Sequence, residues 1–158
     1  MKKLIPLVMV ALLVLGATFW IRAQENALKP GDPLPPLSLT YLDERPDTQH
    51  KPLLVEFWAT WCPPCRRSIP HLNEVYARYR AQGLQVIGIT EEDAQTVTRF
   101  QQQIPIQYPV AIDTPRDLYT RFGVDGIPHA FLVDRSGKVV WAGHPLELTD
   151  DDLQGALR

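Results

Sequence analysis

Residues 53–65 read LLVEFWATWCPPC, and this stretch decides the fold. Residues 53–58 are a short apolar run interrupted by one carboxylate, Glu56, which is the pattern of a strand covered on both faces. The stretch also holds the chain's two cysteines, Cys62 and Cys65. Residues 62–82 then carry Ile69, Leu72, Val75, Tyr76 and Tyr79 at helical spacing, with Gly83 as a stop. The cysteines therefore sit where a buried strand hands over to a helix. A disulfide stabilises most when it closes a long loop. This pair closes almost none, so it reads as chemistry rather than scaffold.

Outward from this centre the pattern alternates. Residues 84–90 (LQVIGIT) are a second buried strand. Residues 93–103 are helical with Val97 and Phe100 inward, and 108–112 are a short strand. Residues 115–122 are a short helix opened by Pro115 and ended by Gly123. Two strands, 130–134 and 139–143, flank a hairpin-type turn at 135–138. Residues 148–157 close the chain as a helix capped by Thr149 or Asp150. Upstream, 43–52 is a polar loop and 35–42 alternates loosely through Leu37, Leu39 and Tyr41, as a strand can. Alternation followed by a hairpin predicts an α/β fold, a mixed central sheet sandwiched by helices.

Lys2 and Lys3 precede an uncharged run, 4–21, which belongs to targeting or membrane attachment rather than to the fold. A cleaved signal peptide needs small residues before the cut; Leu15 spoils the site at Ala17, and Ile21 the one at Ala23. Trp20 and Arg22 suit the water interface of an uncleaved anchor, which is the preferred reading. Either way the basic end stays in the cytoplasm and the remainder is exported. Residues 24–36 follow as a Pro-rich linker, semi-extended and able to hold a domain off a membrane.

The net charge of the chain is −2, and beyond residue 23 there are 13 basic side chains against 18 acidic ones. No basic stripe is present to neutralise phosphates, which argues against a nucleic-acid partner. Zinc needs four ligands, and His50, His71, His129 and His144 include no pair at zinc-finger spacing. No metal and no cofactor are expected.

A cysteine in the first turn of a helix meets unpaired backbone N–H groups and the positive end of the helix dipole. Both stabilise the thiolate, the attacking species in disulfide exchange. Three positions are nearly one helical turn, which brings the two sulfurs within bonding reach. Cys62, nearer the tip, is expected to be the exposed nucleophile, and Cys65 the resolving thiol. A carboxylate buried at Glu56 is costly, and burial raises its pKa towards neutrality, as suits a group that takes a proton from Cys65.

These residues resemble a known family. Val55-Glu56-Phe57-Trp58-Ala59-Thr60-Trp61-Cys62-Pro63-Pro64-Cys65 is similar to the active-site strand and loop of thioredoxin-fold proteins, and Trp-Cys-Pro-Pro-Cys resembles the membrane-anchored TlpA/ResA group, which includes DsbE or CcmG. Gly126-Ile127-Pro128, then Ala130–Asp134 and Gly137, resembles the group's second signature. The resemblance runs from about residue 30 to the C-terminus and makes 37–158 a thioredoxin-like domain. It implies that Pro128 is a cis-proline facing the redox pair and that Ile127 pairs with an extended substrate. Trp61, Pro63 and Pro64 would border that substrate. Glu56 falls where thioredoxins carry a buried acid, and Pro70 where the family's helix is kinked. The 93–103 helix with its following strand looks like the group's insertion.

The activity implied is thiol–disulfide exchange that reduces disulfides of exported proteins, for example apocytochrome c during cytochrome c maturation. A membrane electron donor of the DsbD or CcdA kind would re-reduce the pair. The alternative is the reverse direction, a disulfide-forming oxidase. Copper-delivery proteins of the Sco type share the fold, but they separate their cysteines by three residues and add a distant histidine, a part His129 could take. His129 otherwise either tunes the thiolate or has no role. A peroxiredoxin-type peroxidase would place a threonine shortly before an isolated cysteine, which this motif does not.

Overall fold

The computed structural model describes residues 27–114 and 116–158. A two-residue strand, β1 (Thr40–Tyr41), leads to β2 (Leu53–Phe57), all five residues of which are buried. There follow α1 (Pro63–Tyr79), β3 (Gln85–Thr90), α2 (Ala94–Gln101), β4 (Val110–Ile112), α3 (Asp117–Phe122), β5 (His129–Val133), β6 (Val139–Gly143) and α4 (Asp150–Leu157). The strands form one sheet in the order β1-β4-β3-β2-β5-β6. β2, β3 and β4 are parallel, while β5 runs antiparallel to β2, β6 to β5 and β1 to β4. This is the mixed thioredoxin-like sheet, with β2 at its centre.

Side chains alternate along β2, which gives the sheet two covered faces. Leu53, Val55 and Phe57 meet Leu118, Tyr119 and Phe122 of α3 on one face. Leu54 meets Leu72, Val75 and Tyr79 of α1 and Leu153 and Ala156 of α4 on the other. Because Glu56 shares the second face, its carboxylate is directed under α1, the helix that carries the redox pair. A third cluster joins Trp58, Cys62, Cys65 and Ile69 to Val97 and Phe100 of α2, so this helix covers the redox loop from the side.

The helix ends follow from their residues. Cys62 caps α1, and Pro63 and Pro64 occupy its first two positions, where no intrahelical N–H bond is lost. Pro70 lies inside α1 and omits the bond to the carbonyl of Arg66. Thr149, not Asp150, caps α4, in a reciprocal capping box with Asp152. The turn between β5 and β6 is closed by the Asp134 carboxylate, which accepts the N–H groups of Ser136 and Lys138.

Three expectations need correction. The strand expected over 35–42 shrinks to Thr40–Tyr41, because Pro35 and Pro36 have no N–H to pair; Leu37 and Leu39 still pack on the core. The strand expected from Tyr108 begins at Val110, after Pro109. The linker expected over 24–36 is, from residue 28 on, bound to the domain rather than holding it at a distance. Leu28 N–H donates to the Phe122 carbonyl, Gly31 N–H to Val139, and Leu34 N–H to Gly137. Leu28 and Leu34 pack against the core, and the bonds to Val139 cover the outer edge of β6, which would otherwise be unpaired. The preferred anchor at 4–21 lies outside the described residues. So does Pro115, expected to open α3. Among the described residues no helix is long and apolar enough to cross a membrane.

Candidate active site

The chain leaves β2 at Trp58, whose N–H still pairs with the Ile89 carbonyl, and turns through Thr60 and Trp61 into α1. Cys62 and Cys65 are joined as a disulfide with their Cα atoms 5.3 Å apart. Cys62 Sγ accepts the N–H of Cys65 at 3.2 Å, so the first N–H of the helix, after the two prolines, points at this sulfur. The expectation of an exposed Cys62 is not met: it is 2% exposed, against 0% for Cys65. The cover is the loop before β5: the Ile127 carbonyl oxygen lies 3.7 Å from Cys62 Sγ, and the Ile127–Pro128 peptide is cis. The exposed members of the motif are Pro63 and Trp61, the latter at 62%. Beside it opens a cleft of about 280 Å³ lined by Trp61, Arg116, Tyr119, Gly126 and Ile127 among others. The tertiary structure thus brings Trp61, Cys62, Ile127 and Pro128 to one spot, with Pro63 and Pro64 on the first turn beside it.

Glu56 lies beneath, fully buried. Its Oε1 is 2.7 Å from the Ser68 hydroxyl and its Oε2 2.9 Å from the Tyr108 hydroxyl, both donating. Burial pushes its carboxyl up to about 7, against the lesser, opposing pull of the two hydroxyl donors. Burial, with the carboxylate beside it, also holds the Tyr108 phenol well above its ordinary range, so Tyr108 stays a donor.

Neither hydroxyl stands out in the sequence, because serine and tyrosine are common on helices and in short strands. A second set escapes sequence reasoning as well. The Glu92 carboxylate receives the Thr60 N–H at 2.6 Å and the Thr60 hydroxyl at 2.7 Å, while Arg66 donates to the Thr60 carbonyl at 2.8 Å. A signal was present: β2 and β3 are parallel, so an acid just after β3 lies at the same sheet edge as the redox loop. Glu92→Ala is expected to lower stability by about 1–3 kcal/mol, because a part-buried N–H loses its acceptor. The midpoint of urea unfolding reads this, and an unchanged midpoint would show that the clamp contributes nothing.

His129 opens β5 half-buried, its ring 4.9 Å from that of Phe131. Burial first, then His144, pushes it below its ordinary value, which favours a neutral imidazole. Among the described residues none of its hydrogen bonds reaches a sulfur, and no three His, Cys, Asp or Glu side chains converge as metal ligands.

Comparison with known proteins agrees with this geometry. The AhpC/TSA family matches residues 30–142. Thiol-disulfide oxidoreductase ResA of Bacillus thuringiensis (strain Al Hakam) is 32% identical over 141 residues, covering 86% of this chain and 81% of its own. Among solved structures, a Chlorobium tepidum protein described as thiol:disulfide interchange protein DsbE superposes with a TM-score of 0.69 at 29% identity, covering 84% of this chain and 100% of its own. A thioredoxin family thiol:disulfide interchange protein from Chlorobium tepidum TLS does so at 0.68 and 30%, covering 82% and 98%.

Proposed function

Because the chain belongs to the AhpC/TSA family and is a thiol–disulfide oxidoreductase of the ResA/DsbE type, we propose that it works as a reductase of disulfides in exported proteins, apocytochrome c being the model substrate. In this reading residues 4–21 anchor it on the outer face of the inner membrane. A membrane donor of the DsbD or CcdA kind returns electrons to the pair, since an oxidising compartment does not.

The observation that carries the direction is the joint burial of Cys65 and Glu56. An apolar surrounding and a nearby carboxylate both disfavour a thiolate at Cys65. The reduced pair therefore gains no thiolate stabilisation at Cys65, the kind of stabilisation that makes a pair a strong oxidant. The helix start at Cys62 works the other way by stabilising a thiolate there.

In the cycle, the Cys62 thiolate attacks a substrate disulfide and expels one substrate thiolate. Ile127 offers its backbone to the extended substrate as an added strand would. Cys65 gives its proton to Glu56 and attacks Cys62, which releases the second substrate thiolate and forms the Cys62–Cys65 bond. Equilibration with a defined dithiol buffer tests the direction. A reduction potential near or below about −270 mV is expected, and a value near about −120 mV would reverse the assignment to an oxidase.

A further inference from the structure

The hydrogen bonds around Glu56 can close in either protonation state of its carboxyl group. Glu56, Ser68 and Tyr108 are 0%, 0% and 2% exposed, so water is not at hand to satisfy them. The Ser68 hydroxyl has one proton but two acceptors in reach, Glu56 Oε1 at 2.7 Å and the Cys65 carbonyl oxygen at 2.9 Å. When Glu56 is ionised, Ser68 and Tyr108 each donate to one carboxylate oxygen. When Glu56 is protonated on Oε1, it donates to Ser68 Oγ, and the Ser68 proton turns to the Cys65 carbonyl. No buried hydroxyl is left unpaired in either state. A carboxyl group with only a structural role would need one of these arrangements, not both.

We propose that Ser68 and Tyr108 are positioning residues for proton exchange between Cys65 and Glu56, with the Ser68 hydroxyl changing its acceptor as the proton moves. This rests on the reading of Glu56 as the base for Cys65. In the step concerned, the Cys65 S–H bond breaks and its proton passes to the Glu56 carboxylate. The Cys65 sulfur then bonds to Cys62 as the Cys62–substrate S–S bond breaks. The electron pair of that bond leaves on the substrate thiolate, so the two cysteines are oxidised and the substrate is reduced.

The test mixes the reduced full-length protein with one equivalent of a bis-nitrobenzoate disulfide, whose released thiolate is coloured. Attack by Cys62 releases the first thiolate, and resolution by Cys65 releases the second in a first-order phase. The pH midpoint of that second phase is the readout. Ser68→Ala and Tyr108→Phe each remove a donor to the carboxylate. Each is expected to raise the midpoint by about one pH unit, which slows the phase about tenfold on the acid side. Ser68→Thr keeps the hydroxyl and is expected to keep the midpoint. Tyr108→Phe preserves shape, so the test survives if a Ser68 variant fails to fold. An unmoved midpoint in Tyr108→Phe and Ser68→Ala, with the midpoint displaced in Glu56→Gln, overturns the positioning proposal and leaves the base in place. A midpoint that stays in place in Glu56→Gln removes the base, and the proposal with it.

Discussion

Cys65→Ser is expected to stop the reaction half-way, with a substrate disulfide held on Cys62 as a stable adduct and turnover down by roughly 10³-fold or more. Cys62 Sγ faces the amide of Cys65 at the start of α1 and is covered by the Ile127 carbonyl at the side of the cleft lined by Trp61 and Ile127, so it is the sulfur a partner entering that cleft meets first. Cys65 is fully enclosed by Trp58, Ile69 and their neighbours and can reach only Cys62. Cys62→Ser should therefore form no adduct and show no turnover, because the buried thiol has no access to substrate. Mass spectrometry under non-reducing conditions distinguishes the two variants. An adduct on Cys62→Ser and none on Cys65→Ser would invert the roles.

Glu56→Gln should move stability and activity in opposite directions. The Glu56 carboxyl is raised from an ordinary 4.5 to about 7 in the folded protein. Between these values the folded state holds a proton that the unfolded chain has released, so stability falls as pH rises from about 4.5 to about 7 and is level above. The penalty at pH above 7 is up to about 3 kcal/mol, because each tenfold change in proton affinity is worth about 1.4 kcal/mol. Glutamine has no charge to bury, so the variant is expected to be more stable than the parent by up to about 3 kcal/mol at alkaline pH, with little difference below pH 4.5. Urea unfolding of the oxidised protein at a series of pH values reads this. The same variant should resolve mixed disulfides roughly 10²–10⁴-fold more slowly, the usual contribution of a positioned base. A parent whose stability is flat from pH 4.5 to 7 would show that Glu56 is not buried as a charge. A residue that lowers stability at working pH is explained by the step it serves.

Much of the molecule could be read from local pattern. An apolar run of strand length must be covered on both faces, so residues 53–58 and 84–90 declared a central sheet. Helical spacing after Cys62 placed the redox pair at a helix start, and a lone carboxylate inside LLVEFW marked Glu56 as a buried acid whose protonation would be unusual. These are properties of neighbours along the chain, and the chain alone determines them. What the sequence could not decide depends on contacts between distant segments. The Ile127 carbonyl closes over Cys62 across 65 positions, which turned an expected exposed thiol into a covered one. Glu92 reaches Thr60 across 32 positions because the parallel strands β2 and β3 end at one edge, and Tyr108, just before β4, reaches Glu56 across 52 past Gly88 of β3, which has no side chain in the way. Residues 28–34, read as a free linker from their prolines, bind the outer edge of β6 because their remaining amides find acceptors there. The sequence by itself singled out the cysteine pair and Glu56 and placed them on a helix start and a buried strand. Only the tertiary structure decided what each of them faces, because burial and hydrogen-bond partners are set by packing between segments that sequence spacing does not relate.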